Sequence, residues 1–154
     1  MRYLIFLLAL AGVAVSSLAL QVHYSNKIEP CDINSHWDCG TVNRSSYATV
    51  SGLLWHLRAA RHPGTATGPA PRRGFPVATI GIIGYAVIAL FSLFRRRGLT
   101  LLFALAGFAL ALYLTNIEAH VLQVWCLYCV ISQCLIALIT LLSVGWLFAR
   151  PRRD

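Results

Sequence analysis

The sequence predicts an all-α membrane protein: a single domain over 1–154 built as a bundle of four transmembrane helices, with a long extracytoplasmic loop between helices one and two. Three observations carry this. The 154 residues are 58% hydrophobic and only 12% charged, and mean hydropathy is +0.68. The apolar residues fall into four long runs, and arginines gather just outside several of their ends. A soluble domain of this size could not cover so much apolar surface, so lipid is the solvent for most of the chain.

The runs are 3–20, 77–94, 99–117 and about 124–148, the last starting near Val121 or Trp125. Crossing about 30 Å of hydrocarbon takes roughly 20 helical residues. Backbone groups in lipid must be satisfied within the segment, and no run keeps a strict period of two, so helices are expected rather than barrel strands. The first run, between Arg2 and Ser16-Ser17-Leu18-Ala19, could instead be a secretory signal peptide. Its length and the lack of a clean A-x-A site favour a retained helix.

Basic residues set the orientation. Arg2, Arg95, Arg96, Arg97, Arg150, Arg152 and Arg153 hug the span ends on one side, which is expected to be cytoplasmic along with both termini. Lys27, Arg44, Arg58, Arg61, Arg72 and Arg73 are scattered through the loop 21–75, where the rule is weaker. The net charge of +8 is therefore not read as a nucleic-acid surface, since spans divide it. Within the loop, 45–60 is expected to form a short helix capped by Ser45 or Ser46, with Tyr47, Val50, Leu54 and Leu57 on one face. It is too short to span and would lie at the interface or form an ordinary extramembrane helix. The Pro- and Gly-rich stretch 62–74 reads as a flexible connector.

The chemistry lies in the cysteines. Cys126-Leu127-Tyr128-Cys129 opens the fourth run, and Cys31 and Cys39 sit in the polar loop after the first. Residues three apart at a helix start share a face, and the helix N-terminus favours a thiolate, the species that attacks disulfides and electrophiles. An even number of spans places both pairs outside the cytoplasm, where disulfides persist. Cys31 and Cys39 can close a disulfide or leave one sulfur free to attack another. A four-thiolate zinc site fits poorly because the gap from Cys31 to Cys39 is too wide for short-spaced ligand pairs. A purely structural pair of staples is the other alternative. Cys134, inside the fourth helix, is expected to be a buried apolar residue.

The order Cys31-Asp32, Cys39 and Ser45, then Phe75-Pro76-Val77 with Gly81-x-x-Gly84-Tyr85, then Tyr113-Leu114 and Trp125-Cys126-Leu127-Tyr128-Cys129, resembles the vitamin K epoxide reductase family over essentially the whole chain, and its bacterial disulfide-forming branch most closely. The resemblance implies a four-helix bundle around a quinone, ubiquinone or menaquinone, with no metal. It implies that Cys31 and Cys39 are the shuttle pair, that Cys129 faces the quinone, and that Cys126 is its disulfide partner. A soluble thioredoxin-like thiol oxidase would give electrons to the loop pair, and Cys39 would attack the Cys126–Cys129 disulfide. Many bacterial relatives carry a fused thioredoxin-like domain; with the chain ending at Asp154, that partner is expected to act in trans. Two positions depart from the animal pattern: Gln133 stands where a tyrosine follows the CxxC, and Phe75-Pro76-Val77 stands where an asparagine precedes helix two. Ser45, Val77 and Gln133 are the quinone-binding candidates.

Quinone reduction also needs two protons, and Glu118 and His120 near the outer end of helix three are the candidate donors. Trp37, Trp55 and Trp125 read as interface anchors. Gly81, Gly84, Ala104, Gly107 and Ala111 read as close-packing positions. The expected function is membrane thiol–quinone oxidoreduction supporting disulfide formation at a bacterial inner membrane. The alternatives are a scaffold with structural cysteines and a metal-binding membrane protein.

Overall fold

The computed structural model describes residues 1–25, 30–34, 36–62, 68–71 and 74–148. All regular elements among them are helical: α1 (Arg2–Tyr24), α2 (Cys39–Asn43), α3 (Val50–Arg61), α4 (Val77–Leu93), α5 (Arg97–Ile117) and α6 (Leu127–Phe148). A 3-10 turn covers Ser46–Ala48 and a π-helical turn Glu118–Leu122. Lys27, Arg72, Arg73, Arg150, Arg152, Arg153 and most of the connector lie outside the described residues.

Three helices are long and apolar enough to cross a bilayer: Arg2–Tyr24, Arg97–Leu122 counted through its π turn, and Leu127–Phe148. The fourth apolar helix, Val77–Leu93, has 17 residues, about 26 Å at 1.5 Å per residue. Helix α1 runs past residue 20 to Tyr24, so His23 is helical. Helix α5 starts at Arg97, two residues early, after a turn in which Arg95 takes a left-handed backbone (φ 57°).

The loop helix begins later than expected. Ser45 donates to the Val42 carbonyl (2.8 Å) instead of capping, and the next three residues are spent on the 3-10 turn. Thr49 is the actual cap, accepting from the Gly52 N–H at 3.2 Å.

Helix α1 packs along α4 and α6, and α5 closes the bundle against α4 and α6. Ile5, Ala9, Tyr85, Ile88, Ile139 and Trp146 fill the centre. In lipid such burial gains little from water release, so close contact between helices carries the packing. Gly12 lies under the Tyr85 ring, where any side chain would collide with it. Gly81 and Gly107 similarly meet Ser16 and Ile136, whereas Gly84 has open space in front of it. Outward positions of the long helices are themselves apolar: Leu102, Leu141 and Phe148 are exposed, the surface a bilayer wets. Cys134 belongs to that outer face and is exposed, not buried as expected. At the end away from the cysteines, Arg97 stacks over Trp146 (5.4 Å) and donates to its carbonyl (3.2 Å), tying the start of α5 to the end of α6.

Candidate functional site

The site is assembled by a loop that reaches across to the start of α6. Cys31 and Cys39 are joined as a disulfide with Cα atoms 5.9 Å apart. Short polar residues shape the loop around it. Asn34 accepts from the His36 and Trp37 N–H groups (2.9 and 3.0 Å), an Asx turn that folds the chain back. Asp32 accepts from the Gly40 N–H (3.1 Å). Asp38 caps α2, accepting from the Thr41 N–H (2.7 Å) and hydroxyl (2.6 Å). Those bonds, the hydroxyl's foremost, hold its carboxyl below the ordinary aspartate value.

Backbone pairing then docks the loop. Trp37 and Trp125 form a parallel bridge: Trp125 N–H donates to the His36 carbonyl (2.8 Å) and Asp38 N–H to the Trp125 carbonyl (3.1 Å). The approach to this bridge is made by the π turn and by Gln123, whose backbone is left-handed (φ 54°). π turns are rare and often sit at functional sites. Because Cys39 and Cys126 directly follow the paired segments, the bridge brings the two cysteine pairs together. Cys31, Cys39 and Cys126 form one buried cluster with Val22 and Val42, and Cys129 packs against its edge.

Cys126 and Cys129 are free thiols. Cys126 is fully buried and sits one residue before α6, where its N–H donates to the Glu118 carboxylate (3.2 Å). Its thiol is shifted below the ordinary cysteine value, chiefly by a hydrogen bond from Cys129, with Asn43 contributing against the opposing effect of burial. Asn43 (6% exposed) donates through Nδ2 both to the Cys39 carbonyl (3.0 Å) and to Cys126 Sγ (3.3 Å). His23 of α1 in turn donates from Nδ1 to the Asn43 carbonyl.

Beside the cluster, the bundle forms a partly open cavity of about 420 Å³. Its wall is mostly apolar, and its few polar groups include Cys129, Glu118, Asn43, His23, Tyr85 and Ser132. The Tyr85 hydroxyl is held to Ser132, 2.9 Å from both its carbonyl and its hydroxyl. Tyr47 also lines it, stacked on His56 at 3.8 Å, and His56 pairs with Ser46 (3.0 Å). Burial lowers the His56 pKa, so near neutral pH the ring is uncharged on that stack.

Several residues named from sequence come together here. Cys129, Ser45, Val77 and Glu118 line the cavity, whereas Cys126 lies on the loop side. Gln133 is not part of the wall, and its side-chain oxygen is buried with no hydrogen-bond partner among the described residues. The neighbouring Ser132 takes the inward position. His120 is exposed, its Nδ1 donating back to the Asn116 carbonyl (3.1 Å), and it does not reach the cavity. Asn43, His23, Tyr85, Tyr128 and Ser132 were not singled out as site residues. Ser132 sits three residues past Cys129 and so on its face, and Tyr85 adjoins the Gly81-x-x-Gly84 pattern, so both had a signal. Asn43 and His23 had none. Cys31, Asp32 and Cys39 place their ligand atoms within 4.8 Å of one another, but sulfurs bonded to each other are not the thiolates that metals take.

A disulfide docked on a dithiol, at the end of a bundle of membrane-length apolar helices, defines a membrane thiol–disulfide oxidoreductase. The vitamin K epoxide reductase family matches residues 3–144, both cysteine pairs included, and the chain belongs to that family. No individual curated protein matches it.

Proposed function

We propose that this protein is an integral membrane thiol–quinone oxidoreductase of the bacterial disulfide-forming branch. It reoxidises a thioredoxin-like partner and reduces a membrane quinone, ubiquinone or menaquinone. One observation carries the reading: Cys39 and Cys126 share a buried cluster, while Cys129 opens onto the apolar cavity. The two pairs are thus in series between the outer loop and a lipid-side chamber.

The steps balance. A reduced partner dithiol exchanges with the Cys31–Cys39 disulfide, leaving the partner oxidised and the loop pair as thiols. The Cys39 thiolate attacks Cys126 of the Cys126–Cys129 disulfide, and Cys129 leaves as a thiolate. Cys31 then attacks Cys39, restoring the loop disulfide and releasing Cys126. Two electrons now rest on Cys126 and Cys129. The quinone, as substrate, takes up two electrons and two protons as that pair closes again. The cavity suits it, being of ligand size and apolar with few convergent polar groups. Ser45 and Val77 remain binding candidates at the wall, with Gln133 able to act only by reorienting.

Of the two candidate proton donors, Glu118 has the better placement, lining the cavity and bonded to the Cys126 backbone. Glu118→Gln keeps an acceptor for that N–H and removes the proton. It is expected to lower steady-state quinone reduction by about 100-fold without slowing exchange between the two cysteine pairs; His120→Gln should stay near wild type.

All four apolar helices span the membrane in this reading, both termini are cytoplasmic, and both cysteine pairs face the periplasm. The basic turn Arg95-Arg96-Arg97 supports it, as does the Arg97–Trp146 clamp at the opposite end from the cysteines. The function is tested by quinol formation in detergent from ubiquinone and menaquinone, with a reduced thioredoxin-like protein as donor. Catalysed turnover with either quinone supports it; none with either, from folded protein, removes it.

A further inference from the structure

We propose that Asn43 is the hydrogen-bond donor that makes Cys126 a good leaving group when the two cysteine pairs exchange, so that it controls how fast electrons pass from the loop to the bundle. The inference rests on the relay reading above. It follows from where one side-chain amide is pinned. Asn43 ends α2, four residues after Cys39, and is almost fully buried. Its Nδ2 donates to the Cys39 carbonyl at 3.0 Å and to Cys126 Sγ at 3.3 Å. A carbonyl can only accept, so the amide must turn its nitrogen to that side. The second N–H then faces the Cys126 sulfur. The backbone of Asn43 is held independently by His23 on α1. The amide therefore ties the loop cysteine's own backbone to the bundle cysteine's sulfur.

That placement acts at one step. In the Cys39–Cys126 mixed disulfide, the Cys31 thiolate attacks Cys39. The Cys39–Cys126 bond breaks, its electron pair stays on Cys126, and the Cys31–Cys39 bond forms. Exchange is faster when the leaving thiol has the lower pKa, and hydrogen bonds to a charged group are the strong ones. The other groups facing Cys126 act on the same sulfur. Cys129 donates to it from α6, and Glu118, from the π turn, opposes negative charge there. Asn43 is the donor from the loop side, which is the side that delivers Cys39.

Two readouts test this in the full-length protein in detergent, and the first needs no quinone. The first uses a Cys129→Ser, Cys134→Ser background with the loop disulfide intact, so that Cys126 is the one titrating thiol. Its thiolate is followed by ultraviolet absorbance against pH. Asn43→Leu is expected to cut the thiolate fraction near neutral pH by about tenfold, the effect of one lost charge-assisted hydrogen bond. Asn43→Asp keeps the volume and puts a carboxylate beside the sulfur, and is expected to cut it further. The second uses protein with all five cysteines, in which Asn43→Leu and Asn43→Asp are expected to accumulate the Cys39–Cys126 disulfide during turnover with a thiol donor and a quinone acceptor. Retention of the Cys31–Cys39 disulfide in the oxidised protein shows that the fold is kept; if Asn43→Leu loses it, Asn43→Asp decides. A titration matching the Asn43 parent, or no accumulation of the mixed disulfide, overturns the proposal. If wild type reduces no quinone while the titration still shifts, the thiolate role of Asn43 stands and the quinone reading falls.

Discussion

Replacing Cys129 with alanine is expected to abolish quinone reduction with every donor, protein or small thiol, by at least about 1,000-fold. Cys129 is the cysteine that lines the cavity, and Cys126 beside it is sealed in the loop cluster. Without Cys129 no disulfide can form on α6, so electrons arriving from the loop have nowhere to collect as a pair. The loss should be one of turnover and not of folding, because Cys129 lies at the edge of the packed cluster, not at its centre. Quinol formation followed optically, with a thermal melt alongside, checks both halves. Residual turnover above a few per cent would mean that another group hands electrons to the acceptor.

Cys39→Ala is expected to behave differently. Turnover with a reduced thioredoxin-like protein should fall to background, because the thiol that reaches Cys126 is gone. Turnover with dithiothreitol should stay within about tenfold of wild type, because a small thiol can enter and reduce the Cys126–Cys129 disulfide itself. The measurement is the ratio of the two donor rates. A parallel loss with both donors would make the Cys31–Cys39 disulfide a structural staple. The docking of the loop argues against that outcome: the Trp37–Trp125 bridge, the Asn34 turn and the Asp38 cap hold it by bonds that do not involve sulfur.

Much of this organisation was legible in the sequence. The three long apolar helices and the shorter α4 follow from runs that lipid demands, and the two cysteine pairs stand out by type and spacing. The family match over 3–144 agrees with the resemblance drawn from those residues. What was not legible depends on contacts between distant segments. Nothing around Trp37 announces that it will pair with Trp125. The π turn has no local signature; it begins at Glu118, which lines the cavity with Leu114 and Thr115 of α5, while His120, two residues on, is exposed. Gln133 shows the same limit: one step along α6 separates it from Ser132, and a helical face is only as certain as the rotation of the helix. The loop helix began late because Ser45 and Ser46 were claimed by neighbours, a competition among polar side chains that spacing does not rank.

The central claim is that Cys39 and Cys126 are the two sulfurs that meet. The direct test is Cys31→Ser, which leaves Cys39 able to attack but removes the thiol that would release it. The protein is isolated without reductant, alkylated, and cleaved after Tyr128 so that Cys126 and Cys129 fall in different peptides, and the disulfide-linked peptides are mapped by mass. The account predicts a Cys39–Cys126 link with Cys129 alkylated as a free thiol. A Cys39–Cys129 link, or an intact Cys126–Cys129 disulfide beside a free Cys39, would contradict it.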